Sequence, residues 1–193
     1  MLYKFLRACF RLLFILVYRV EIHGKENMPT TGAVILAANH MSNLDPPLIA
    51  AFLSRPVSYM AKEELFHVPV IGFILRHCYS FSVRRGAADR GAIRAALKAL
   101  KEGYCMGMFP EGTRARKGKR LKAQPGIALL AAMSGAPVIP ATIEGTDGAL
   151  KFHKFRVTYG APLRFEGNRA NKEALDAFAQ KIMDVIYAQK RAA

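Results

Sequence analysis

The sequence contains no tryptophan and only three cysteines, and its 14 acidic residues face 29 lysines and arginines. Each scarcity narrows what the chain can be. Without Trp, and with no aromatic series interleaved among the cations, it lacks the stacking platforms of single-stranded nucleic-acid binders, so nucleic acid is not an expected partner. Cys9, Cys78 and Cys105 are odd in number, widely spaced and set in apolar surroundings. That excludes a disulfide framework and a paired-thiol metal site, and the three read as buried thiols in a reducing compartment. Cys105 sits in a strand-like stretch with no neighbouring base, which argues against a nucleophile. Repeats and low-complexity tracts are missing as well. Ten prolines and fifteen glycines fall singly at element ends, so no linker divides the chain. At 193 residues, 52% hydrophobic and 22% charged, one compact domain is expected.

A formal charge of +15 implies an anionic partner, for which a membrane surface or a phosphorylated substrate both qualify. The chain also lacks an apolar run long enough to span a bilayer, which takes about 20 residues. Its longest uninterrupted N-terminal run is Leu12 to Tyr18, inside the segment MLYKFLRACFRLLFILVYRV. Lys4, Arg7, Arg11 and Arg19 recur there at steps of three, four and eight, which places them on one side of a helix. Residues 1–20 therefore read as an amphipathic helix lying in the membrane interface, basic face toward the headgroups, followed by a single domain over 21–193. A core-packing helix is the competing reading. A cleaved signal is not expected, because Arg11 and Arg19 bound the apolar core and no small-residue cleavage pattern precedes Glu21.

Ala33 to Ala38 is a continuous apolar run, the pattern of a strand buried on both faces. Further strands are predicted at Val57 to Met60, Tyr79 to Val83, Tyr104 to Phe109, Pro137 to Thr142 and Phe155 to Tyr159. Between them lie helical faces, among them Ile93, Ala96, Leu97 and Leu100, and then Leu175, Phe178, Ile182 and Ile186 behind a cap at Asn171. Gly103 and Gly135 fit helix C-termini. This alternation predicts an α/β fold, a mainly parallel central sheet flanked by helices, with its chemistry at the carboxyl ends of the strands.

Such a strand end carries Asn39, His40, Met41, Ser42, Asn43, Leu44, Asp45, Pro46 and Pro47. Asp45 before Pro46 marks a helix start, with the aspartate expected to accept from free backbone amides. On a continuous helix, residues five apart lie about 140° apart, so His40 and Asp45 need a turn between strand and helix to meet. Imidazole titrates near neutral pH and can accept a hydroxyl proton, and a carboxylate on its other nitrogen fixes the tautomer. No enzyme nucleophile is needed if the substrate supplies the hydroxyl. By itself the spacing could equally belong to a loop histidine beside a capping Asp.

A second strand end carries Phe109, Pro110, Glu111, Gly112, Thr113 and Arg114. Arg114 offers a planar fork to a phosphate, Glu111 can orient that fork or bind a hydroxyl, and Gly112 allows close backbone approach. A tight structural turn is the alternative.

NHMSNLDP together with FPEGTR resembles the 1-acyl-sn-glycerol-3-phosphate acyltransferases, the lysophosphatidate acyltransferases, within the glycerolipid acyltransferases. Two intermediate blocks match as well: Lys62, Glu63, Glu64, Leu65 and Phe66 with Pro69 and Gly72, then Phe81, Ser82, Val83, Arg84 and Arg85. A late block, Val138, Ile139 and Pro140, lies on the strand expected to border the acyl site. Ala115 stands where the family often has Ser. The resemblance implies a fold like that of glycerol-3-phosphate acyltransferase. It also implies catalysis by His40 as general base oriented by Asp45, with Lys62, Arg84, Glu111, Gly112, Thr113 and Arg114 binding the substrate.

The implied reaction moves a fatty acyl group from acyl-CoA or acyl carrier protein to the sn-2 hydroxyl of lysophosphatidate, forming phosphatidic acid. No cofactor or metal is implied beyond the thioester co-substrate. The expected place is the cytoplasmic face of the cell membrane, peripheral or monotopic. Six cations in nine positions, from Arg114 to Lys122, could serve an anionic membrane, an acidic carrier protein or solvent alone. Two rival readings stay open. One is acyl transfer to another lysophospholipid, glycerol 3-phosphate or a lipid-like amine. The other is a nonenzymatic protein that binds anionic lipid or nucleic acid.

Overall fold

In a computed structural model, which describes residues 1–83, 90–115, 120–151 and 154–191, the apolar runs assemble into one seven-stranded sheet. The chain runs α1 (Leu2–Val17), β1 (Val20–His23), β2 (Val34–Ala38), α2 (Asp45–Phe52), β3 (Val57–Lys62), α3 (Glu63–His67) and α4 (Pro69–His77). It continues through β4 (Phe81–Val83), α5 (Arg90–Lys101), β5 (Cys105–Met108), α6 (Gly126–Ser134), β6 (Val138–Glu144), β7 (Phe155–Tyr159) and α7 (Lys172–Arg191). Strand order is β1-β7-β6-β2-β5-β3-β4. Neighbours are parallel except β6 with β7, so the sheet is mainly parallel.

All five residues of β2 are buried, because its pleat sends alternate side chains into two cores. Val34, Leu36 and Ala38 pack with Leu48 and Ile49 of α2 and Phe14 of α1. Ile35 and Ala37 pack with α5, α6 and α7 on the other face. Gly103 and Gly135 adopt left-handed backbone at φ 81° and 67° where α5 and α6 end. The Asn171 side chain accepts the Ala174 amide at 3.0 Å and caps α7.

Three features depart from the sequence expectation. Strand β1 has no apolar run to announce it: it is a half-buried edge strand that pairs with β7 and includes Glu21 and His23. Of the three thiols only Cys105 is buried, and burial pushes it up to about 12; Cys9 is exposed on α1 and Cys78 is half-buried. Cys9 falls on the outward side of α1, and Cys78 follows the last turn of α4 between the exposed His77 and Tyr79.

Helix α1 is the third. Phe14 is fully buried and meets Tyr18, Phe52 and Phe155 at ring-centre distances of 6.2, 6.5 and 6.1 Å, which fastens the helix to the sheet. Its cations do not all look outward. Arg7 donates to the carbonyls of Leu53 and Ser54, both at 3.2 Å, and the Arg11 guanidinium lies 5.8 Å from the Phe52 ring centre. What α1 exposes is chiefly apolar: Phe5, Leu12, Leu13, Ile15 and Leu16.

Candidate active site

Strand β2 ends at Ala38, and the next residue secures its carboxyl end. Asn39 is buried, donates to the Ile143 carbonyl at 2.9 Å and accepts the Ile143 amide at 2.7 Å, tying the strand end to β6. His40 follows in the turn, and its Nδ1 lies 2.8 Å from Asp45 Oδ2. The turn has brought together a pair that a continuous helix would hold apart. The amides of Met41 and Ser42 also donate to Oδ2, each at 2.7 Å, and the Thr146 hydroxyl donates to Oδ1 at 2.6 Å. Asp45 is 0% exposed, and such a carboxylate requires donors of this kind around it.

Asp45 is the first residue of α2, behind an N-cap at Leu44 that makes no side-chain cap bond. It was expected to cap the helix, yet its carboxylate faces back toward the turn. The reason lies in the next two residues: Pro46 and Pro47 have no N–H to offer, so the helix has no second- or third-position amide to cap. The same two prolines free the carboxylate for His40.

Beyond β5 the chain folds back over this turn. Phe109 stacks on the His40 ring with centres 4.1 Å apart and planes 20° apart. Glu111 is 3% exposed, and both of its oxygens are engaged. Oε2 accepts the His40 amide at 2.8 Å and Oε1 accepts the Tyr187 hydroxyl at 2.6 Å. Burial pushes the Glu111 carboxyl above its ordinary range, against the downward pull of these two donors. The Ala115 amide donates to the His40 carbonyl at 2.8 Å, so the loop holds both backbone groups of the histidine. Gly112 makes the tight return at φ 67°, its amide donating to the Phe109 carbonyl at 3.0 Å.

Thr113 and Arg114 emerge from that return as exposed side chains. Lys62 closes β3 with an exposed side chain at the same edge of the sheet, with β5 between β3 and β2. Arg84 lies outside the described residues, as do Arg85, Arg116, Lys117 and Lys119. Among the described residues no three His, Cys, Asp or Glu side chains cluster as metal ligands would.

Two members of this site have no mark in the sequence motifs. Thr146 follows β6, and the rule that strand ends build the site is the signal that could have pointed to it. Tyr187 comes from α7, where it sits beside the apolar stripe and carries no local signature.

The arrangement fixes an imidazole by a buried carboxylate on one nitrogen and an aromatic face on its ring, and leaves Nε2 as the working nitrogen. Such a group can take a proton from a bound hydroxyl.

Known proteins share this frame. Residues 19–144 match the family described as Acyltransferase. The chain is 32% identical to the 1-acyl-sn-glycerol-3-phosphate acyltransferase of Bacillus subtilis, over 84% of this chain and 82% of that protein. It is 31% identical to the protein of the same name from Borreliella burgdorferi, over 74% of this chain but 58% of the longer relative. Among solved structures, that of the 1-acyl-sn-glycerophosphate (LPA) acyltransferase PlsC from Thermotoga maritima superposes with a TM-score of 0.79 at 26% identity, covering 97% of this chain and 78% of that one.

Proposed function

The chain belongs to the acyltransferase family, and from that premise we propose that it acylates the sn-2 hydroxyl of 1-acyl-sn-glycerol 3-phosphate to form phosphatidic acid. The observation that carries the reading is the His40 to Asp45 contact of 2.8 Å at the carboxyl edge of the sheet. A buried Asp45 carboxylate accepts the Nδ1 proton, which leaves the Nε2 lone pair facing substrate. Nε2 takes the proton of the lysophosphatidate hydroxyl as its oxygen attacks the thioester carbonyl. The C–S bond then breaks, the acyl chain stays on the glycerol oxygen, and the imidazolium returns its proton to the departing thiol.

Lys62, Arg84, Gly112, Thr113 and Arg114 are assigned to the phosphate end of the acceptor; of these, Lys62 ends β3 and Gly112, Thr113 and Arg114 follow β5, at the sheet edge that carries His40. Glu111 is assigned to the same end as the residue that holds the turn and the acceptor loop together. The donor is acyl-CoA or acyl carrier protein, and no further cofactor takes part.

The place of action is the cytoplasmic surface of the membrane. Among the described residues no helix is long and apolar enough to cross a bilayer. Besides the exposed apolar side chains of α1 there is a second set, Leu65, Val68, Val70, Ile71 and Phe73, along α3 and α4. Tyr3 near the start of α1 and Tyr79 just after α4 meet edge-on at 5.6 Å, which brings the start of α1 to the end of α4. A surface of this kind suits insertion into one leaflet, with the basic residues around it on anionic headgroups.

The test is acyl transfer to lysophosphatidate by the purified full chain with each donor in turn. His40→Ala is expected to lower kcat by about 10² to 10⁴, the usual contribution of general-base catalysis. Asp45→Asn is expected to fall in the same range. Rates near wild type for both variants would exclude this mechanism, and transfer confined to another acceptor would change the substrate but keep the chemistry.

A further inference from the structure

We infer that Tyr187 is a positioning residue of this active site: through Glu111 it holds together the His40 turn and the loop that carries Arg114. The inference builds on the acyl-transfer reading and adds a part of the chain that none of the acyltransferase motifs includes.

Helix α7 is anchored chiefly by residues other than Tyr187, whose ring only flanks the core. Phe178, Ile182 and Ile186 lie in the core against α5, α6 and the sheet. A neighbouring stripe, Asp184, Tyr187 and Lys190, repeats every three residues and so shares one side of the helix. Each member reaches a different part of the site. Asp184 Oδ1 pairs with Arg120 Nη2 at 2.5 Å, toward the end of the basic run that leads into α6. The Tyr187 hydroxyl donates to Glu111 Oε1 at 2.6 Å, and the Lys190 ammonium lies 4.0 Å from the Met41 sulfur, next to His40. Arg120 also covers the Tyr187 ring at 4.7 Å from its centre.

The position of Glu111 makes the phenol matter. One carboxylate oxygen receives the His40 amide and the other receives Tyr187. With both held, the carboxylate plane cannot turn, and the His40 backbone and the Glu111 to Arg114 return keep a fixed relation. With Tyr187 removed, Glu111 pivots on a single hydrogen bond. Burial and the nearby Glu111 carboxylate push the phenol itself up to about 12, so it remains a donor throughout the working range.

The experiment is Tyr187→Phe in the full chain, which keeps the ring over which Arg120 lies. Initial rates are measured against lysophosphatidate and pH at saturating donor, beside Glu111→Gln and the double variant. The expected result is a KM for lysophosphatidate raised about tenfold, as loss of a hydrogen bond to a charged group implies. The acid limb of kcat/KM should move to higher pH. The sign follows from the contact: the phenol favours the charged carboxylate, so without it Glu111 takes up its proton at a higher pH. In the Glu111→Gln background, Tyr187→Phe should add little.

A variant that only loses thermal stability, with KM and acid limb unmoved, overturns the inference. So do effects that add in full in the double variant. Wild-type chain that transfers no acyl group to lysophosphatidate or to any other acceptor defeats the acyl-transfer reading and this inference with it. Wild-type turnover beside a silent Tyr187→Phe defeats the inference alone.

Discussion

At Asp45 a carboxylate with no solvent exposure receives a ring nitrogen, two amides and a hydroxyl, and each of these donors comes at a different cost to replace. The amides of Met41 and Ser42 are backbone, so no side-chain truncation removes them. Thr146 is a side chain supplied from just past the carboxyl end of β6, and its valine isostere would set a methyl against Oδ1. Hydrogen bonds to charged groups contribute about 1.5 to 3 kcal/mol, so Thr146→Val is expected to lower kcat by about tenfold or more and to reduce stability. Thr146→Ser keeps the donor and should keep most of the rate. Steady-state kinetics with paired thermal melts check this, and equal kcat in Thr146→Val and wild type would remove Thr146 from the set of groups that orient the pair.

Among the elements, α1 has two roles that pull on different residues. Its inward side is a core element: Phe14 has no exposure and lies among Phe52, Tyr18 and Phe155. Truncating a buried aromatic costs about 3 to 5 kcal/mol, so Phe14→Ala is expected to lower the unfolding free energy of the whole protein by that amount, read as a lower denaturant midpoint at unchanged slope. A helix attached only to lipid would leave the midpoint in detergent unchanged. Arg7 belongs to the same inward side, since it satisfies the carbonyls at the end of α2. Helix α7 divides its labour in a similar way, with one stripe in the core and another against Glu111 and Arg120.

For the whole molecule, the proposed membrane attachment draws on both the charge of +15 and the exposed apolar side chains of α1 and α4. Membrane attachment by cations alone is lost as salt screens it, because the Debye length shrinks to about 3 Å at 1 M. Attachment that also buries Leu12, Leu16 and Phe73 should survive in part. Cosedimentation with vesicles containing anionic lipid is therefore expected to fall, but not vanish, between 0.1 and 1 M salt, taken as roughly the span over which screening becomes complete. Replacing Leu12, Leu16 and Phe73 by Glu should abolish the salt-resistant fraction. If the triple variant binds as well at high salt as the wild type, this face is not the one that meets lipid.

The sequence by itself determined the sheet and the meeting of His40 with Asp45. Continuous apolar runs announce strands buried on two sides, and β2, β5 and β6 lie where those runs are, whereas β7 alternates Phe155, Val157 and Tyr159 with Arg156 and Thr158 and is fully buried on one face only. The His40 to Asp45 spacing with its two prolines was equally legible, being local: six residues of turn and helix start decide it. Edge strand β1 was not, because an edge strand half in solvent needs no apolar run. Nor was the basic side of α1, where helical spacing groups Arg7 and Arg11 but does not say whether lipid or the end of α2 receives them. Only the tertiary structure placed Thr146 on Asp45 across 101 residues and Tyr187 on Glu111 across 76. Those contacts are set by which strand lies beside which and by the rotation of α7 on its core. A pattern along the chain carries no record of either.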